Sequence, residues 1–255
     1  MHPKTLARYL NPRIIILQAI VCLIGGIGLT QCIYAQETTK YKLSTGLYSF
    51  SNTGSSSNQA EDINLRMSSD GIGNAWIAGY RSPWQSTSQL RAGWDKTYHL
   101  SDWRLTPSLQ GATGGFVGGS LNIETGQDFF IGAGLGRTNL KNYYNLTVDP
   151  NDSWSLSAGY RWSENNYLAL QIIRDNRDNP DQQNTHLLYK HLVQEKNKLT
   201  YDILYKQGTV ENRYIREYGV SIAYDWDTYQ LKCAYDPKTN FTPQNLVRIT
   251  FAKHF

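Results

Sequence analysis

Period-two alternation runs through this chain and restricts its fold more than any other feature. Successive side chains of a strand point to opposite faces of a sheet. Tyr218, Val220, Ile222, Tyr224 and Trp226 fall on one face of a segment, and Glu217, Gly219, Ser221 and Asp225 on the other. Trp154, Leu156, Ala158, Tyr160 and Trp162 oppose Ser155, Ser157, Gly159 and Arg161 in the same way. The split recurs with Leu199, Tyr201, Ile203 and Tyr205 against Thr200, Asp202 and Lys206. One face suits lipid and the other water.

A soluble sandwich also alternates, so turn lengths must decide. The pattern predicts strands near 41–50, 60–68, 74–81, 87–97, 102–112, 115–124, 128–137, 153–163, 166–175, 184–193, 198–207, 215–226, 229–235 and 245–255. Every second connection is short: 69–73, 99–101, 124–127, 163–165, 194–197 and 227–228. The alternate ones are mostly longer and polar, among them 51–59, 138–152, 176–183, 208–214 and 237–244. Short turns at one mouth and long loops at the other predict an all-β fold, a closed antiparallel transmembrane β-barrel of about 14 strands, with 12 as the alternative. Counting 142–148 as a strand makes the total odd, so it is assigned to a long outer loop. Pro107 lies inside a predicted strand, where a missing donor calls for a bulge or a shifted boundary. The phase of 186–193 is ambiguous.

Aromatic residues settle at the two surfaces of a membrane. Tyr98 with Trp103, Trp162 with Tyr167, and Trp226 with Tyr229 flank short turns and predict one girdle. Tyr80, Trp84, Trp154, Tyr205, Tyr218 and Tyr235 near the opposite strand ends predict the second.

Residues 1–35 read as a signal peptide and 36–255 as the barrel. Lys4, Arg8 and Arg13 precede a charge-free apolar run from Ile14 to Gln36, with cleavage after Ala35. An uncleaved transmembrane helix is the alternative, weakened by Gly25-Gly26-Ile27-Gly28. Gln31 before Cys32 argues against lipoprotein processing. Removing the leader takes three basic residues from 25 Lys+Arg and leaves 22 against 21 Asp+Glu. No strongly basic surface remains for nucleic acid. Of three cysteines only Cys233 survives cleavage, so no internal disulfide is available.

Val247, Ile249, Phe251 and the terminal Phe255 alternate to the last residue. This resembles the C-terminal signature of Gram-negative outer-membrane β-barrel proteins. The resemblance covers about ten residues and implies that the barrel-assembly machinery reads this strand as an assembly signal. It also implies outer-membrane localisation, with outer-membrane lipid and lipopolysaccharide as neighbours. A monomer is expected.

The inward positions carry the charge: Asp62, Arg66, Arg91, Asp95, Arg104, Asp128, Arg161, Asp202, Lys206, Glu217, Lys232 and Arg248. As lumen-lining residues they would either tune ion selectivity or pair and brace a narrow interior. Gly118, Ser120, Gly132, Gly134, Gly136, Ser155, Ser157 and Gly159 make a small-residue sector with room for a solute or an inward loop. Gly132-Ala133-Gly134-Leu135-Gly136 imitates half a dinucleotide fingerprint but lies in a strand. No cofactor or metal is expected, and Asp175 to Asp181 is the one calcium-like loop. An outer-membrane lipid-modifying hydrolase would need an activated nucleophile beside a histidine. His186 and His191, on opposite faces of one strand, are its candidates, since His99 and His254 read as interfacial. No catalytic residue is assigned. The function expected is a narrow, modestly charge-selective channel or a structural surface protein, with the hydrolase as the alternative.

Overall fold

A computed structural model describes residues 39–51 and 58–255, so the expected signal peptide lies outside the described residues. The chain forms one antiparallel sheet of β1 (Lys40–Ser51), β2 (Asn58–Ser69), β3 (Gly73–Ser82), β4 (Thr87–Asp95), β5 (Tyr98–Leu100), β6 (Trp103–Ala112), β7 (Phe116–Thr125) and β8 (Phe129–Thr138). It continues through β9 (Ser153–Ser163), β10 (Asn166–Asp175), β11 (Gln183–Leu192), β12 (Lys198–Val210), β13 (Arg213–Asp225), β14 (Tyr229–Asp236) and β15 (Asn245–His254). Apart from β4 and β5, which do not pair with each other, each strand pairs with its neighbour in sequence, and β1 pairs with β15 from Lys42↔His254 to Ser51↔Asn245. Beyond that ladder Phe255 N–H donates to the Tyr41 carbonyl at 2.9 Å. Both β4 and β5 pair with β6, so they form one interrupted stave and the barrel closes with 14. Closure leaves no edge with unpaired backbone groups, which is what a sheet in lipid requires.

Pro107 explains the interruption. Its carbonyl accepts the Lys96 N–H at 3.3 Å, so its own nitrogen faces the same neighbour and offers no proton. The ladder resumes from Asp95↔Ser108 to Tyr98↔Leu105 on either side of this gap. The proline therefore stays in β6, and the neighbouring strand breaks opposite it. As a consequence His99 sits in β5 rather than in the turn.

The connection expected at 208–214 is also shorter than predicted. Strands β12 and β13 run on to Val210 and from Arg213, leaving Glu211 and Asn212 as the turn. Both have positive φ, 48° and 64°, the backbone of a tight two-residue hairpin turn. At 13 residues each, these strands exceed the roughly 9–11 that cross a bilayer, so the hairpin extends past the wall.

The alternation sorts the barrel wall. Leu47, Ile131, Leu156, Ile203, Val220 and Ile249 are exposed on the outside, Ile131 by 64%. Residues of the opposite phase on the same strands, Tyr48, Phe130, Leu204, Ala223 and Leu246, are buried. An apolar outer wall around a closed sheet is stable in lipid and unfavourable in water. Trp103, Trp162, Trp226 and Tyr229 are exposed at the short-turn end, and Tyr218 and Tyr235 toward the other.

Three expected girdle residues point elsewhere. Tyr167 has the inward phase of Ala169 and Gln171, two and four residues on in the same strand, and the β9–β10 register shifts at Asn166/Tyr167. Tyr80 is 3% exposed and joins Tyr48, Phe50, Ala60, Leu146 and Leu246 in a cluster inside the barrel, with Trp84 packed against it. Part of the interior is thus apolar and aromatic, where alternation alone predicts a polar face.

Candidate functional site

The connection between β8 and β9 folds into the barrel instead of standing outside it. Its ends are pinched together: Thr138 N–H and Oγ1 donate to Asp152 at 3.1 and 2.5 Å, and Arg177 adds a 2.8 Å bond to the same carboxylate. Burial works against the Asp152 charge, but these donors and the Arg177 cation outweigh it and hold the carboxyl below its usual range. The loop backbone passes so close to β8 that a Cβ on Gly136 would lie 2.4 Å from the Asn151 carbonyl oxygen. Glycine there admits the loop. The small-residue sector of β7 to β9 therefore gives way to a loop in at least this position.

From its root the loop reaches walls distant in sequence. Tyr143 stacks on Phe116 with ring centroids 4.0 Å apart and accepts a bond from Arg91 at 3.3 Å. Tyr144 stacks on Tyr80 at 4.5 Å, and its N–H donates to Gln89 Oε1 at 2.9 Å. Burial foremost raises the Tyr144 hydroxyl above the ordinary tyrosine range, so it remains neutral. Leu146 enters the aromatic cluster, and its carbonyl accepts from Arg248 at 3.3 Å. From above, Asn240 of the 237–244 connection donates to the Asn145 carbonyl at 2.6 Å.

The other half of the loop is held by charge. Asn184 Nδ2 donates to the Val148 carbonyl at 2.6 Å and to Asp149 Oδ1 at 3.0 Å. His186 lies between two carboxylates, with Nε2 3.0 Å from Asp149 and Nδ1 2.9 Å from Asp202. Burial disfavours the Asp149 charge, but the His186 hydrogen bond and charge, Asn184 and Lys206 together lower its carboxyl below the usual range. Loop and wall are thus joined through one imidazole.

The expected lumen residues fall into three groups. Asp62 and Arg91 face each other at 3.9 Å, and Arg104 and Arg161 share Glu124 at 3.0 and 2.9 Å. Lys206, fully buried, pairs with Asp236 at 2.6 Å, while Asp95 accepts from Asn74 at 2.7 Å. Arg248 bonds Thr250 at 3.1 Å and packs over Tyr48. Arg66 is exposed and sits opposite Lys42, and Glu217 sits opposite Lys206 in register. Asp128 lies exposed in the short turn before β8, not on an inward strand position. The C-terminal residues Val247, Ile249, Phe251 and Phe255 are all exposed on the outer face.

Two other candidates acquire structural explanations. Asp175 Oδ1 accepts the backbone N–H groups of Arg177, Asp178 and Asn179 at 2.8, 3.1 and 3.2 Å, so this carboxylate organises its own loop. His186 has both ring nitrogens engaged by carboxylates, leaving neither for a nucleophile. His191 is exposed and bonds Asn166 at 2.9 Å. Sequence reasoning left room in this sector for a solute or an inward loop but assigned 142–148 to an outer loop, although Tyr143, Tyr144, Leu146 and Val148 were the signal of its inward course: apolar residues are costly in a solvated loop.

Closed sheet, apolar wall and charged interior define a transmembrane β-barrel of the outer membrane. The fold is shared with the outer membrane protein Omp33 of Acinetobacter baumannii, at a TM-score of 0.51 and 8% identity over 87% of this chain and 100% of that one. Weaker superpositions, at TM-scores of 0.46 and 0.45, are found with a Rh. blastica porin mutant and Salmonella typhi OmpF. Each is 10% identical and covers 86% of this chain, with 100% and 97% of the other chain covered. No protein-family model matches the sequence, and no curated protein matches it significantly.

Proposed function

We propose that this protein is a narrow solute channel whose bore is set by the inward loop 139–152. The observation that carries the reading is the loop's path from β8 to the facing walls at Tyr80, Arg91, His186 and Arg248. A loop that only capped the barrel would need no anchors at this depth. Charged side chains around it, Asp62 with Arg91 and Arg248 among them, supply a modest charge selectivity. Outside, the apolar wall meets lipid acyl chains. Assembly of the monomer follows the C-terminal strand, with Val247, Ile249, Phe251 and Phe255 as the signal.

The test is conductance of the purified protein in a planar bilayer. Discrete steps whose ion preference changes on Arg91→Gln are expected, and an electrically silent, correctly folded barrel overturns the channel. The lipid-hydrolase alternative is disfavoured by the double engagement of His186. If His186→Ala nevertheless abolished a change in lipid mass on overexpression, that alternative would replace the channel.

A further inference from the structure

The outer wall carries few charges, and they are unevenly placed. An outward side chain shares the phase of the exposed apolar residues along its strand. On β8 that phase runs through Ile131 and Leu135 to Arg137, on β10 through Leu168 and Leu170 to Arg174, and on β13 back from Ile222 and Val220 to Arg216. All three arginines are exposed and stand toward the long-loop end. Among the described residues no outward position of β8 to β13 is acidic. On the rest of the described wall the outward charges are Glu61 and Arg81, opposite each other in register, and Lys253 at the short-turn end.

Strand register joins the three arginines into one row. Arg174 lies opposite Trp154 on one side and Gln183 on the other, Gln183 opposite Gln207, and Gln207 opposite Arg216. Leu135, also opposite Trp154, is two residues before Arg137. Strand spacing and rise then set Arg174 about 12 Å from Arg137 and about 14 Å from Arg216.

No carboxylate neutralises this row. Arg174 donates to the Pro180 carbonyl at 2.6 Å, Arg137 to the Gly136 carbonyl at 2.9 Å and to Asn176, and Arg216 lies over the Tyr214 ring. Among the described residues none of the three has an ion pair. The acidic groups of the sector are turned elsewhere: Glu217 has the inward phase opposite Lys206, Asp175 is buried under its own loop, and Asp178 lines a cavity with the inward loop. Asp181 and Glu211 remain, in the connections, against these three arginines and Arg213 at the hairpin tip.

A guanidinium on a lipid-facing phase reaches the headgroup layer, and at the long-loop end that layer is the outer leaflet. Toward the middle of the wall Leu135, Leu156 and Leu170 are exposed. Cations above an apolar surface match an anionic headgroup above acyl chains, and the planar fork of arginine suits phosphate. We infer that the row of Arg137, Arg174 and Arg216 is a binding site on the outer wall for a phosphate-bearing lipid of the outer leaflet. The inference rests on the outer-membrane barrel and not on the channel reading.

Purified protein in detergent is titrated with diphosphoryl lipid A and, in parallel, with the same lipid stripped of its phosphates, and the bound fraction is read by native mass spectrometry. The phosphorylated lipid is expected to bind and the stripped one not to. Arg137→Gln, Arg174→Gln and Arg216→Gln should each weaken binding about fivefold, as loss of one cation at an anionic surface does. Arg81→Gln, on the opposite sector of the same wall, should leave it within twofold. Heat-modifiable gel migration confirms that each variant is folded, and since Arg216 makes no hydrogen bond, Arg216→Gln carries the test should the other two misfold. Equal binding of the stripped lipid, unchanged affinity in the folded row variants, or an equal loss in Arg81→Gln overturns the site. Inorganic phosphate at the lipid's concentration should displace nothing, and displacement by it overturns the lipid in favour of a free anion. A protein that conducts but holds no lipid refutes the site alone, whereas one that holds lipid but passes no current refutes the channel alone.

Discussion

The two halves of the inward loop are held by different physics. Residues 143–146 are fixed by ring stacking on Phe116 and Tyr80 and by burial of Leu146 among aromatic side chains. Residues 148–152 are fixed by hydrogen bonds and charge, through Asn184, His186 and Arg177. Apolar contact is indifferent to pH and only weakly sensitive to salt, whereas a carboxylate clamp responds to both. The aromatic half is thus a fixed anchor and the acidic half the part that conditions can loosen.

The largest effect tests whether the loop matters at all. Replacing 141–147 by a short glycine-serine bridge should raise single-channel conductance several-fold, and an unchanged step size would refute the loop as the constriction. Tyr144→Ala should come next, because it removes a stacked, partly buried ring worth about 3 kcal/mol. Protease cleavage within the loop should accelerate while the barrel itself keeps its heat-modifiable migration.

A smaller change is expected from Asp149→Asn, which leaves His186 with one carboxylate partner and weakens the clamp by about 1.5–3 kcal/mol. The pH dependence of the wild type separates the halves further. The Asp149 carboxyl is held below its unfolded value, so its contribution is complete above the ordinary carboxylate range and is lost as pH falls through the lowered folded value. Wild-type current noise should therefore rise in strong acid, and Asp149→Asn should abolish that response. If the Tyr144→Ala variant instead lost the response, the division of labour would be wrong.

The smallest effect concerns the wall. Pro107→Ala restores an N–H facing Lys96 and should raise the heat-modification midpoint slightly, by about 1 kcal/mol of added backbone bonding. Conductance should not move, since β6 there supports neither half of the loop.

Much of the wall was legible because alternation is a local property. Val220 and Ile222 face lipid because Gly219 and Ser221 between them face inward, and no distant residue is needed to know this. Pro107 announced an irregularity from its missing donor, but not which strand would yield, since that depends on the neighbour across the ladder. Tyr80 and Trp84 were misjudged for a similar reason. An aromatic residue at a strand end suits an interface or a core, and the choice is made by Tyr144, far away in sequence.

The candidate site was legible only in part. Inward charges such as Asp62, Arg91, Asp202 and Arg248 followed from phase, but their partners did not, because pairing depends on strand register and on a loop from elsewhere. Asp149, placed by sequence only within the long 138–152 connection, is the loop's link to His186.

The sequence by itself determined a closed, two-faced sheet, because side-chain period and turn spacing are written along the chain. Only the tertiary structure decided what fills the barrel, because the inward loop is held by residues from β3, β4, β11 and β15, brought to one level by closure of the sheet.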